Sequence, residues 1–303
     1  MIDKPSIAEL FCGPGGMGLG FGRHFDIQYA VDISMPAFQT YQANHPGIQV
    51  QRKDVHDISG VRGDFDGITG VIGGPPCQQW SRRNIRKKED DPRRLLPGEY
   101  MRLVEEIRPG FFCLENVPYT PEAEKLKIVK VGKALGYNIA SHCINAADFG
   151  AAQSRRRWVV IGLRHGLWTP ARIIRPIAPR TVRDALQGLS NNWGFMWSRP
   201  DTLEKLSRAT SEWTSLTGEA DKYNTIVKLQ QDRPAPAVVN VKKVYMVHPT
   251  ENRNISLAEA AALQGFPQDY RWHGTQREIA QMIANAMPVE LAEAIAKSIG
   301  GIS

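Results

Sequence analysis

The feature that most limits the fold is a rhythm in the first half of the chain. Short apolar runs that read as strands, Ser6 to Phe11, Ile27 to Val31, Gly67 to Gly73, Phe111 to Glu115 and Arg157 to Leu163, alternate with helix-like stretches such as Met35 to Asn44, Glu99 to Ile107 and Glu122 to Leu135. Consecutive parallel strands can be joined only by a crossover, and that crossover is right-handed, so the rhythm predicts a parallel sheet covered on both faces. The expected fold class is therefore α/β, a doubly wound core. No fixed-period repeat or low-complexity block interrupts it.

From about Leu167 to Thr250 the rhythm is lost. Prolines, basic residues and Trp168, Trp193, Trp197 and Trp213 replace it, with only short helical stretches such as Thr181 to Leu189. Amphipathic helix patterns return over Ser256 to Leu263 and Arg277 to Ile299. Ser256 and Glu259 are spaced as a capping box, and Gly300-Gly301 is placed to end the last helix. The chain thus divides into a core (1–166), a small second domain (167–250) and a segment returning to the core (251–303). With 303 residues, 42% of them hydrophobic, there is ample apolar surface for such a core.

The composition excludes several classes. No apolar run approaches the roughly 18 residues of a membrane span, and Met1-Ile2-Asp3-Lys4-Pro5 lacks the plan of a signal peptide, so the cytosol is the expected compartment. The four cysteines, Cys12, Cys77, Cys113 and Cys143, stand far apart with no histidine cluster nearby, and no metal site is expected. Lys and Arg total 38 against 31 Asp and Glu, a net charge of +7 that favours a polyanionic partner.

Glu9-Leu10-Phe11-Cys12-Gly13-Pro14-Gly15-Gly16-Met17-Gly18 follows the first strand and opens a helix. Its glycines let the backbone turn sharply and approach a ligand, and the helix start beyond offers free N–H groups. Asp32 closes the second strand, where a carboxylate meets ribose hydroxyls, and Asp54, after a further short strand, is placed for an adenine edge. Gly13, Gly15 and Gly18 also satisfy G-x-G-x-x-G, so a structural turn, a dinucleotide and an adenosyl cofactor all remain open on this motif alone.

Further motifs narrow the choice. Gly73-Gly74-Pro75-Pro76-Cys77-Gln78-Gln79-Trp80-Ser81 puts a thiol just past a strand end, where α/β sheets place ligands. Arg82, Arg83, Arg86, Lys87 and Lys88 follow at once and favour the thiolate. Most free cysteines are small buried hydrophobes, which is how Cys113 reads. Glu115 ends an apolar strand, where a carboxylate must be solvated, paired or protonated. In Gln153-Ser154-Arg155-Arg156-Arg157, alternation turns Arg155 and Arg157 to one face, able to offer planar donors to one ligand.

In this order, and over nearly the whole chain, these motifs resemble those of the DNA cytosine-5 methyltransferase family of bacterial or phage type. Phe11-Cys12-Gly13-Pro14-Gly15-Gly16, Pro76-Cys77-Gln78, Glu115-Asn116-Val117 and Gln153-x-Arg155-x-Arg157 look like its cofactor, nucleophile, acid and arginine motifs. Arg253 with Leu263-Gln264-Gly265-Phe266-Pro267, and Asn285-Ala286-Met287-Pro288, resemble its last two. The resemblance implies a Rossmann-like core that uses S-adenosylmethionine, with a target recognition domain at 167–250. It implies cofactor contacts from Phe11, Gly13, Gly15, Gly16, Asp32, Ile33, Asp54, Pro76, Leu95, Asn285 and Ala286. Ala284 departs from the family's usual glycine and adds a methyl group near the cofactor's methionine end. The Cys-Phe-Thr signature of tRNA-methylating relatives is absent, and only five residues precede the first strand, which favours a DNA enzyme without regulatory domains.

For that chemistry the resemblance makes Cys77, Glu115, Arg155 and Arg157 catalytic. Cytosine C5 is a poor nucleophile until a thiolate adds to C6, and the charge that builds on the ring is relieved if a protonated or proton-sharing Glu115 serves N3. Arg157 would hold O2, and Arg155 would support Cys77 or the flipped nucleotide. The target base must leave the stack. Gln78, Ser81, Arg82, Arg83, Arg93 and Gln153 are the expected nucleic-acid contacts. Residues 81–94, with seven basic and three acidic side chains, form a candidate phosphate clamp. Double-stranded DNA is the expected partner, a cognate restriction endonuclease acting separately is compatible with it, and a single recognition domain suggests a monomer acting at the nucleoid.

Overall fold

The computed structural model describes residues 4–61, 63–76, 95–167, 179–189, 193–195, 204, 206–212, 214–215, 225–241 and 244–300. Cys77, Gln78, Ser81, Arg82, Arg83 and Arg93 lie outside these residues, as does the whole of the expected clamp at 81–94. The core is a seven-stranded sheet in the order β3-β2-β1-β4-β5-β8-β6. Its strands are β1 (Ser6–Leu10), β2 (Asp26–Asp32), β3 (Gln49–Arg52), β4 (Gly70–Gly73), β5 (Phe111–Asn116), β6 (Asn138–Asn145) and β8 (Arg156–Leu163), with the two-residue β7 (Gln153–Ser154) between the last two in sequence. Helices α1 (Gly16–Phe21), α2 (Met35–Asn44), α3 (Leu96–Ile107) and α4 (Glu122–Ala134) supply the crossovers.

The apolar runs form central strands because both faces of the sheet are covered. All six residues of β5 are buried, and Tyr100 of α3 docks by donating its hydroxyl to the carbonyls of Val71 (2.9 Å) and Cys113 (3.0 Å). Burial pushes the Cys113 thiol up, which fits the core role read from the sequence.

Two expectations need correction. The sheet is mixed: β8 runs antiparallel to both β5 and β6, pairing Asn116 with Trp158 at one end and Asn145 with Arg156 on the other side. Strand β6, at the sheet edge, carries Asn138, Ser141, His142 and Asn145 among its eight residues, so it lacks the continuous apolar run of a central strand. The reversal brings the start of β8, with its arginines, to the carboxyl ends of the parallel strands. The helical stretch from Arg277 to Ile299 is also two helices, α7 (Gln276–Asn285) and α8 (Val289–Gly300), interrupted at Ala286–Pro288, where a proline cannot continue the hydrogen-bond ladder.

Beyond β8 come α5 (Val182–Leu186), β9 (Thr214–Ser215), β10 (Thr225–Lys228), β11 (Ala235–Pro236), β12 (Tyr245–Val247) and α6 (Leu257–Leu263). A three-stranded sheet, β12-β10-β9, holds a small cluster of Leu206, Ile226 and Val247. The rest of this region shares its core with the C-terminal helices: Val227, Val238 and Met246 pack in one cluster with Leu257, Leu263 and Ile283. Strand β11 pairs in parallel with β7, Ala235 opposite Gln153. Ser256 and Glu259 do form the capping box of α6, and Arg253 clamps Glu259 through two 2.7 Å bonds while lying over the Phe195 ring.

Candidate active site at the carboxyl edge of the sheet

The glycine loop leaves β1 and is held from three sides. Asp32 at the end of β2 accepts the Gly13 N–H (2.9 Å) and the Ser34 N–H (2.8 Å). Tyr270, from the C-terminal segment, donates its hydroxyl to the Pro14 carbonyl, and Glu9 within β1 accepts the Gly18 N–H (3.1 Å). Gly15 has φ +95°, and a Cβ there would lie 2.7 Å from His45 Nε2 and 2.8 Å from Tyr270 Oη, so both conformation and space require glycine. Phe11 has φ +54°, an uncommon backbone for a phenylalanine, held by the strand before it and the turn after it. Ala286 and the Met287 carbonyl press on Gly16 from behind.

Of the expected cofactor residues, Phe11 follows β1, Asp32 and Ile33 stand at the end of β2, Asp54 follows β3 and Pro76 follows β4, while Leu95 and Asn285 stand at helix ends. Ile33, directly after Asp32, and Leu95, at the start of α3, are 61% and 62% exposed, unusually open positions for apolar side chains. Asp54 binds the N–H of His56 (3.1 Å) and its ring Nδ1 (2.7 Å), and the His56 contacts hold its carboxyl below the usual range. Burial, opposed by the Ser34 and Gly13 N–H groups, raises that of Asp32. Asn285 is exposed at the end of α7 and accepts from Gln281 (2.8 Å).

The second half of the site lies across β4, β5 and β8. Glu115, almost buried, pairs with Arg157 at 2.5 Å through Nε. A Cβ on Gly74 would lie 2.9 Å from Glu115 Oε2, and the Asn116 amide donates to the Pro75 carbonyl (3.3 Å). The acid motif therefore braces the stretch Gly74–Pro76 that leads into Cys77. Sequence reasoning left Asn116 without a role, although it sat inside the motif.

Two expected site residues are employed elsewhere. Gln153 is fully buried: its amide donates to the Leu263 carbonyl (2.8 Å) and to Gln264 Oε1 (2.7 Å), and its oxygen accepts the Val238 N–H (3.0 Å). The expected nucleic-acid contact is corrected, since a buried and fully bonded amide offers DNA nothing. Arg155 is buried and donates to the carbonyls of Val238 (2.8 Å) and Ala284, so it does not share a ligand face with Arg157. Charge alternation alone could not show that backbone carbonyls would claim the first arginine.

Sequence reasoning also missed the polar cluster beneath the loop, Glu9, Tyr41, His45 and Tyr270. A carboxylate inside the apolar first strand was the one visible signal.

The sheet order, the glycine loop after β1 and the polar groups at the carboxyl edge define a doubly wound, Rossmann-like α/β core with a candidate ligand site at the carboxyl ends of its strands. The sequence profile of the family described as C-5 cytosine-specific DNA methylase matches residues 6–301. Among curated proteins, the Type II methyltransferase M.MthTI of Methanothermobacter thermautotrophicus is 31% identical, covering 97% of this chain and 96% of its own length. M1.HphI of Haemophilus parahaemolyticus is 33% identical over 96% of this chain and 85% of its own. Among solved structures, an Escherichia coli prophage protein assigned as a DNA modification methyltransferase superposes with a TM-score of 0.82 at 27% identity, covering 98% of this chain and 99% of that one. The S. pombe Dnmt2 methyltransferase shares the fold, with a TM-score of 0.74 at 21% identity over 99% of this chain and 98% of its own. The chain belongs to the C-5 cytosine-specific DNA methylase family and is a DNA (cytosine-5-)-methyltransferase.

Proposed function

We propose that the chain transfers the methyl group of S-adenosylmethionine to C5 of a cytosine extruded from a specific duplex DNA sequence, through a covalent adduct with Cys77. The observation that carries this reading is the convergence, at one sheet edge, of the glycine loop, the Gly74–Pro76 approach and the Glu115–Arg157 pair. The donor supplies an electrophilic methyl group on a sulfonium sulfur. The residues present fit an adenosyl group: Ile33 and Leu95 offer open apolar faces, Asp32 keeps lone pairs beyond the two N–H groups it accepts, and Gly13 has open space around it. Phe11, Gly15, Gly16, Asp54, Pro76, Asn285 and Ala286 complete the set.

Cys77 adds to C6 and makes C5 nucleophilic. Glu115 shares a proton with N3 as charge builds on the ring, and Arg157, oriented by its bond to Glu115, holds the base. After transfer a water molecule takes the C5 proton, the C–H electron pair restores the C5=C6 double bond, and Cys77 leaves C6 as the thiolate. Arg155 acts through the backbone it holds. Residues 81–94, including Ser81, Arg82, Arg83 and Arg93 with Gln78 before them, bind phosphates and the space left by the flipped base, and residues 167–250 read the sequence. Among the described residues no helix is long and apolar enough to cross a membrane. We read the chain as a cytoplasmic monomer acting on nucleoid DNA, with any restriction endonuclease a separate protein.

The test is transfer of labelled methyl to mixed-sequence duplex DNA, beside RNA, for the wild type and Cys77→Ala, followed by sequencing around the methylated base. Methylcytosine in one DNA context, absent with the variant, supports the reading. Labelled RNA alone, or an active variant, overturns it.

A further inference from the structure

The glycine loop rests on a buried carboxyl that the mechanism above does not use. Glu9 is the penultimate residue of β1, with Ala30 of β2 on one side and Ile72 of β4 on the other, and is 1% exposed. One of its oxygens accepts the N–H of Gly18 in the first turn of α1, and the other accepts the Tyr41 hydroxyl at 2.7 Å. The titratable groups facing this cluster come from every neighbouring element: Cys12 in the loop, Asp32 at the end of β2, Tyr41 from α2, His45 just past it and Tyr270 from the C-terminal segment. None of these supplies a positive charge at neutral pH. His45, stacked on Tyr41 with ring centroids 4.2 Å apart, is pushed down to about 4 by burial and stays neutral. Among the described residues no ion pair reaches Glu9.

We propose that Glu9 is a positioning residue that pins the glycine loop only while its carboxyl is protonated, so that alkaline pH loosens the loop and weakens the grip on the methyl donor. Ionisation would leave a buried carboxylate with two hydrogen bonds and, among the described residues, no counter-ion, a state relieved by admitting water or by shifting the start of α1. Burial pushes this carboxyl up to about 8, against the opposing bonds from Tyr41 and Gly18 and with a further push from Asp32. The consequence for folding has a definite sign. A raised value in the fold means that the native state holds the proton longer, so stability falls as pH rises from the ordinary carboxyl range to about 8 and levels off above it.

The inference rests on the reading of the loop as the donor's site, and the experiment separates the two. Calorimetric binding of S-adenosylhomocysteine to the full chain is followed from about pH 6.5 to 9.5 for the wild type, Glu9→Gln and Tyr41→Phe. Wild-type affinity is expected to hold to about pH 8 and then fall, by up to about tenfold per pH unit. The ligand's own amino group titrates in the same range but acts on every protein alike, so the difference between curves isolates Glu9. Glu9→Gln should lose this fall while keeping the affinity seen at pH 6.5. Tyr41→Phe, which removes a donor to the charged form, should move the fall to higher pH. Coinciding curves for wild type and Glu9→Gln, or a fall moved to lower pH by Tyr41→Phe, overturn the proposal. Should Glu9→Gln fail to fold, the Tyr41→Phe shift decides. Absence of wild-type binding at pH 6.5 overturns the donor-site reading itself.

Discussion

The glycine loop and the joint around Gln153–Arg157 lie at the same edge of one sheet, yet they are held by different physics. Beneath the loop the backbone is gripped by a buried phenol and a buried carboxyl, Tyr270 on Pro14 and Glu9 on Gly18. At the joint the ties are amide and guanidinium groups. Gln153 and Arg155 bind the return of the 167–250 segment at Val238 to the C-terminal helices at Leu263, Gln264 and Ala284. Only Arg157 keeps its charge for the site, and it does so paired with Glu115. Neighbouring residues of one motif therefore divide between building the site and serving it, according to which partner lies within reach.

Three substitutions would sharpen or break this contrast. The largest effect is expected on catalysis from Glu115→Gln, which removes both the proton-sharing group and the charge that orients Arg157. Methyl transfer should fall by roughly 10²- to 10⁴-fold with little change in melting temperature. A rate within a few-fold of wild type would mean that this pair does not face the reacting base.

Next comes Gln153→Ala, which strands the buried Val238 N–H and Gln264 side chain. A loss of about 3 kcal/mol in unfolding free energy is expected, at the upper end of the cost of unsatisfied buried groups, with DNA affinity of the folded fraction nearly unchanged. Normal stability with weak DNA binding would restore the nucleic-acid role expected from the sequence.

The smallest effect is expected from Tyr270→Phe. It leaves the Pro14 carbonyl without its donor, for about 1 kcal/mol of stability and a several-fold weaker grip on the donor molecule. If stability falls as far as with Gln153→Ala, the loop is not held by the lighter set of contacts.

Much of this architecture is legible in the residues alone. Met35–Asn44 is helical over the span expected, and the Ser256 to Glu259 spacing does form its capping box, because both rest on local backbone physics. The β6 strand was less legible, since at the sheet edge it needs no continuous apolar run, and the break at Ala286–Pro288 was hidden by the amphipathic pattern on either side. The glycine turn after β1 was visible, but its supports were not: Tyr270 meets Pro14 across 256 positions of sequence.

The sequence by itself determined the order of strands and helices, the glycine turn and the set of reactive side chains, since these depend on periodicity, conformational freedom and chemical type. Tertiary structure alone decided which polar groups are free for function. A guanidinium or amide bonds whatever acceptor folding brings within about 3 Å, and that distance is set by segments far apart in the chain. Thus Arg157 meets Glu115, Arg155 meets two carbonyls, Gln153 closes a buried joint, and Glu9 stands under the glycine loop with no counter-ion among the described residues.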